Sequence, residues 1–147
     1  MSYQHILVPV DGSEISFAAA NQAIEIAKAM NSKITAICLV AEDPFSGADF
    51  YYTTGMLDEY FKEAYANAEK ALAQVSAAAQ QAGVELTAKV HKANVNADSL
   101  IACTEQLGAD LIVMGSHGRK GFKKFLLGSF AQEILGKTTL PVLVVKQ

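Results

Sequence analysis

The sequence predicts an α/β fold, an open doubly wound parallel sheet of five strands with helices on both faces. Short apolar runs rich in β-branched residues recur along the chain, they alternate with segments of helical period, and Gly, Asn or Pro punctuates the joins. Continuous apolar strands suit a parallel sheet covered on both sides. Strict alternation of strand and helix then argues for double winding with right-handed crossovers.

His5–Val10 (HILVPV) is the first such run and ends in Asp11-Gly12-Ser13, where Ser13 is a suitable N-cap. Over Glu14–Met30, Ala19, Ala23, Ile26, Ala27 and Met30 return at helical spacing until Asn31-Ser32 breaks the pattern. Ile34–Val40 is the second strand. Residues 41–55 lack periodicity, carry Pro44, Gly47 and Gly55, and read as a loop. A long stripe from Leu57 to about position 82 predicts a helix that Gly83 stops. Val84–His91 is a third strand, Ala97–Leu107 a helix closed by Gly108, and Leu111–Met114 a fourth strand. Leu126, Leu127, Phe130 and Ile134 outline a last helix, and Pro141 opens the strand Val142–Val145. No linker or internal repeat interrupts this order, so residues 1–147 are expected to form a single domain.

Composition narrows the function. The chain has 147 residues, 51% of them hydrophobic, with a net charge of −3. A mildly acidic protein has no general attraction for nucleic acid or anionic membranes, and neither is expected as a partner. No run reaches the ~18 apolar residues of a membrane span, and MSYQHILVPV lacks the basic start of a signal peptide. The expected compartment is cytoplasmic. Cys38 and Cys103 sit in apolar runs without a CxxC partner and read as buried reduced thiols. His5, His91 and His117 are scattered without paired carboxylates, so no metal site is expected. His5 and His91 read as solvated or capped strand residues.

In an open α/β sheet, ligands bind beyond the carboxyl ends of the strands where strand order reverses. Two strands here end in unusual residues: Pro9-Val10-Asp11-Gly12-Ser13 after the first, and Gly115-Ser116-His117-Gly118 after the fourth. The second segment continues to Gly128-Ser129, giving the pattern Gly-x2-Gly-x9-Gly-Ser. Such a segment suits phosphate. Glycines admit close backbone approach and positive φ. N–H groups at a helix N-terminus point at an anion, and the Ser129 hydroxyl adds a donor. Arg119, Lys120, Lys123 and Lys124 add positive potential. Alternative readings stand beside this one. The glycines can simply make turns, the basic run can be a solvated face, Asp11 can cap a turn, and His117 can be an exposed turn residue. Phe50-Tyr51-Tyr52 can close over a base or pack on its own domain.

The runs ILVPVDGS and VMGSHGRKG…LLGS…PVLVVK resemble the universal stress protein family, and the likeness extends over nearly the whole chain. The Gly-x2-Gly-x9-Gly-Ser spacing resembles its ATP-binding branch. The resemblance implies a sheet in the order 3-2-1-4-5, ATP (with Mg²⁺) as cofactor, and a homodimer formed through the last strand. It also implies roles. Asp11 and the backbone near Val40 would contact adenine, with Pro9 and Val10 lining that pocket. Gly115, Gly118 and the Met114 backbone would follow the ribose and phosphates. Gly128, Ser129 and the Phe130 amide would hold the phosphates, with Arg119 beside them. The chain departs from many relatives at His91–Asn96, where they carry a Gly-x-Pro-type turn, and at Phe130, where a smaller residue is common. No nucleophile–base pair is placed by the motif. The function expected is therefore nucleotide binding in stress response or signalling, with little or no hydrolysis. The alternative is a dimeric interaction module of the same fold. Motifs of nucleotidyl transfer, of a phosphoacceptor receiver, GxGxxG and Walker A are missing.

Overall fold

The computed structural model describes residues 2–47, 51–117 and 127–146. The elements run β1 (His5–Pro9), α1 (Glu14–Met30), β2 (Lys33–Ala41), α2 (Thr54–Ala82), β3 (Leu86–Ala93), α3 (Ala97–Leu107), β4 (Leu111–Gly115), α4 (Ser129–Lys137) and β5 (Val142–Val145). All strands are parallel, in the order β3-β2-β1-β4-β5. The predicted fold class and strand order are both present.

Alternation along each strand builds two core layers. Ile6, Val8 and Val10 of the first strand segment pack with Ala19, Ala23 and Ala27 of α1 and with Leu72 and Val75 of α2. Leu7, Ile37, Ile112 and Met114 point to the other face, against Leu100 of α3 and Ile134 of α4. Asp110 fixes the near end of the sheet, where its carboxylate accepts from the Gln4 N–H at 2.9 Å and the His5 N–H at 3.0 Å.

Several boundaries differ from the sequence reading. Helix α2 starts at Thr54 because Thr53 caps it, accepting from the Met56 N–H. Strand β3 starts at Leu86, since the Val84 N–H is used by the Ala79 carbonyl in the turn that closes α2. Helix α4 starts at Ser129 with Gly128 as N-cap, where the Gly128-Ser129 pair stands in the sequence motif, and Leu127 of the apolar outline precedes it. His5 is not solvated. It is 6% exposed, donates from Nδ1 to the Leu107 carbonyl at 3.1 Å and accepts at Nε2 from the Thr35 hydroxyl at 2.7 Å. Burial holds its pKa below the ordinary 6.5. Among the described residues, no helix is long and apolar enough to cross a membrane.

Candidate functional site

The order of strands reverses between β1 and β4, and their carboxyl ends open into a cavity of about 600 Å³. Pro9, Val10 and Asp11 form one wall, Met114 and Gly115 a second, and Gly128, Ser129 and Phe130 a third. Eight of the residues singled out in the sequence are thus brought together, although they come from segments more than a hundred positions apart. Gly118 and Arg119 lie outside the described residues, as do Phe50 and the lysines at 120, 123 and 124.

The β1–α1 turn is shaped by its own side chains. Asp11 Oδ1 accepts from the Ser13 N–H at 2.9 Å and from the Ser13 hydroxyl. Between them Gly12 takes φ 85°, which a side chain rarely adopts. Ser13 caps α1 by accepting from the Ser16 N–H at 3.3 Å. Asp11 therefore has the turn role open to it from the sequence, and it also reaches the cavity.

Across the cavity, Gly128 N–H bonds to the Ser116 carbonyl at 2.7 Å, which clamps the start of α4 to the end of β4. A Cβ at Gly128 would stand 3.1 Å from the His117 Cα, and one at Gly115 would stand 3.0 Å from Ile15 Cγ1. Neither glycine has the positive φ expected of it; Gly128 has φ −66°. Close packing of backbone on protein explains both. As N-cap, Gly128 has no side chain with which to satisfy the first turn of α4, and Ser129, Phe130 and Ala131 of that turn line the cavity. The first N–H groups of a helix carry its positive dipole end.

Sequence reasoning missed part of the lining. Ile37 and Leu39 enter from β2, and Glu133 from the second turn of α4. Val95 and Asn96 line the cavity from the β3–α3 turn, within the His91–Asn96 segment that the sequence marks as a departure. Asn96 caps α3 by accepting from the Ser99 N–H at 3.0 Å. The Asn-x-x-Ser spacing at 96–99 was the available signal. His117 also lines the cavity, and its Nδ1 lies 3.1 Å from Ser116 Oγ. Ser116 is only 3% exposed and is not part of the lining.

Val40 stands apart from the other site residues. Its side chain is buried in the α1–α2 layer and lines a second recess of about 420 Å³, together with Cys38, Tyr60, Glu63 and Asn67. The two recesses share Asp11 and Leu39. Nearby, Tyr52 packs on Phe45 with ring centres 5.0 Å apart, whereas Tyr51 is fully exposed. Neither cysteine is in a disulfide, and burial pushes the Cys103 thiol up. Among the described residues no group of three metal-binding side chains occurs.

The chain is thus a doubly wound α/β protein with a recess at the reversal point of its sheet, the place where such sheets take ligands, and with a helix start that has no side-chain cap on its wall. The sequence profile of the universal stress protein family matches residues 2–146, and the chain belongs to that family. A universal stress protein of Methanocaldococcus jannaschii is 36% identical over 145 residues, which cover 99% of this chain and 83% of that one. Among solved structures, a universal stress protein from Lactobacillus plantarum superposes with a TM-score of 0.83 at 24% identity, covering 99% of both chains. One from Archaeoglobus fulgidus, solved in complex with dAMP, has a TM-score of 0.71 at 18% identity, covering 99% of this chain and 100% of that one.

Proposed function

We propose that this chain is an adenine-nucleotide-binding stress-response or signalling protein, with ATP as its ligand and little or no hydrolysis. The observation that carries this reading is the first turn of α4, which opens without a side-chain cap onto the 600 Å³ cavity. Phosphates would lie against Ser129 and the Phe130 amide, beside Gly115, where N–H groups and dipole favour an anion. The apolar wall of Pro9, Val10, Ile37 and Met114 suits a flat base. Asp11 would accept from its exocyclic amine. Val40 would contribute through its backbone alone, since its side chain faces the other layer. Gly118 and Arg119 retain their proposed roles from sequence resemblance. The relative solved with dAMP supports the ligand class. Little or no hydrolysis is proposed because the glycine motif itself places no nucleophile–base pair.

A homodimer through β5 belongs to the same proposal. β5 is an edge strand with Leu143 38% exposed, and an unpaired edge can add a copy of itself. A second reading, an interaction module without nucleotide, is favoured by one observation. Gly115 and Gly128 both sit in tight contacts within the protein, which accounts for glycine there without a phosphate.

A thermal-shift series separates the two. Nucleotide-stripped protein is heated with ATP and Mg²⁺, ADP, AMP or GTP. At 100-fold excess over Kd, binding adds about 2.7 kcal/mol, or roughly 5–10 °C for a domain of this size. A shift that fades from ATP toward AMP is expected. No shift with any nucleotide would leave the interaction module standing.

A further inference from the structure

The β3–α3 turn brings to the cavity an amide that is held from several sides. Asn96 lines the cavity, and its Oδ1 accepts from the Ser99 N–H at 3.0 Å to cap α3. Its main chain is tied as well. The Asn96 N–H donates to the Asn94 carbonyl at 3.0 Å, and the Asn96 carbonyl accepts from the Leu100 N–H at 3.5 Å. Ala97, the next residue, is fully buried and anchors the helix start. With Oδ1 used in the cap, the side chain has the two N–H bonds of Nδ2 left to offer. Among the described residues nothing accepts from them.

Resting on the nucleotide-binding reading, we propose that Asn96 reads the sugar, with Nδ2 donating to a ribose hydroxyl. The partner of such a donor must be an acceptor oxygen. The described lining holds no lysine or arginine, and the chain neighbour of Asn96 is Val95, apolar and 56% exposed. A neutral amide in that setting suits a neutral oxygen better than a phosphate, which the start of α4 favours. The base takes the apolar wall and the phosphates take α4, so the hydroxyls of the sugar are the acceptors that remain. The cap also holds the Asn96 side chain before any ligand arrives, so little rotamer freedom is lost when the bond forms. The cavity then prefers a nucleotide that carries this hydroxyl over one that lacks it.

The test is calorimetric titration of ATP, 2′-deoxy-ATP and 3′-deoxy-ATP into the wild type, Asn96→Ser and Asn96→Asp. Serine and aspartate cap a helix as well as asparagine does. Both variants therefore keep α3 and remove the donor, and their urea midpoints should stay near that of the wild type. In the wild type, one of the deoxy analogues is expected to bind about three- to tenfold more weakly than ATP, the worth of one hydrogen bond. In Asn96→Ser, ATP loses the same factor and that deoxy analogue loses nothing further. Asn96→Asp, which presents an acceptor in place of the donor, weakens ATP at least as much. Wild-type ATP affinity in Asn96→Ser overturns the proposal, as does a wild type that binds ATP and both deoxy analogues equally. An equal loss for all three nucleotides in Asn96→Ser overturns it too, and moves the contact to phosphate or base. In each of these cases nucleotide binding itself stands. If none of the three binds the wild type, the nucleotide-binding reading falls and takes this proposal with it.

Discussion

Gly128 is seated directly on His117: a Cβ at position 128 would lie 3.1 Å from the His117 Cα and 3.3 Å from the Ser116 oxygen. Those neighbours are backbone and cannot swing aside. Gly128→Ala is therefore expected to push the start of α4 away from the end of β4, although φ −66° suits alanine well. The cost should be about 1–3 kcal/mol, typical of overpacking. It should appear as a lower urea midpoint at constant slope. A midpoint equal to wild type would mean that the clamp yields without strain.

Gly115 makes the matching contact on the other side, where its absent Cβ leaves room for Ile15 Cγ1 and Cγ2 at 3.0 and 3.1 Å. Here the neighbour is a side chain, so the strain can be relieved by a second substitution. Gly115→Ala should destabilise the wild type clearly and the Ile15→Ala background much less. The double-mutant cycle should return a coupling of about 0.5–3 kcal/mol. Additive effects would place the strain at the His117 carbonyl, 3.3 Å away, instead.

Asp11 can be tested for its two roles separately. Asn at this position keeps the oxygen that accepts from Ser13, while Ala removes it. Asp11→Asn should stay within about 0.5 kcal/mol of wild type, and Asp11→Ala should lose about 1–2 kcal/mol for the two hydrogen bonds. Chemical denaturation gives both numbers. If Asn is as damaging as Ala, the charge matters to the turn and not only the acceptor.

His5 predicts a pH dependence of stability. Burial lowers its folded-state pKa below 6.5, with Lys33 acting in the same direction and the Leu107 carbonyl, Asp110 and Glu85 opposing it. Below pH 6.5 the unfolded chain takes up its proton first. The stabilisation is thus complete above that pH and is lost as pH falls through the folded-state value. Urea midpoints measured from pH 7.5 to 5 should decline more steeply in the wild type than in His5→Gln. Parallel slopes would assign the decline to other groups.

The fold was legible because its signals are local and repeated. Apolar runs such as Leu111–Met114 are buried on both faces, and Gly83 and Gly108 end their helices in the left-handed region, φ 73° and 68°. The walls of the cavity were legible where a turn residue marks them, as at Asp11 and Gly128. Glu133 and Leu39 were not, because each enters through the register of its own element. Helix phase aims Glu133 and strand alternation aims Leu39, whereas Asn96 falls in the turn that the sequence already marks and is fixed there as the cap of α3. For His5, read as solvated or capped, the structure removes the first alternative: it is buried, and an imidazole in a strand gives no sign of the two partners, 30 and 102 residues away, that allow its burial. The glycines at 115 and 128 were read for positive φ and for close approach to an anion, whereas the close approach that the fold makes there is to protein, Ile15 and the 116–117 backbone.

The bond from the Ser116 N–H to the Val145 carbonyl, 2.9 Å long, has a geometric consequence. Val145 ends the outermost strand, and Ser116 carries Gly128 on its own carbonyl. Two hydrogen bonds in series therefore run from the rim of the sheet to the first turn of α4. A hand closed on the border of this molecule would have a finger on the latch of its central recess.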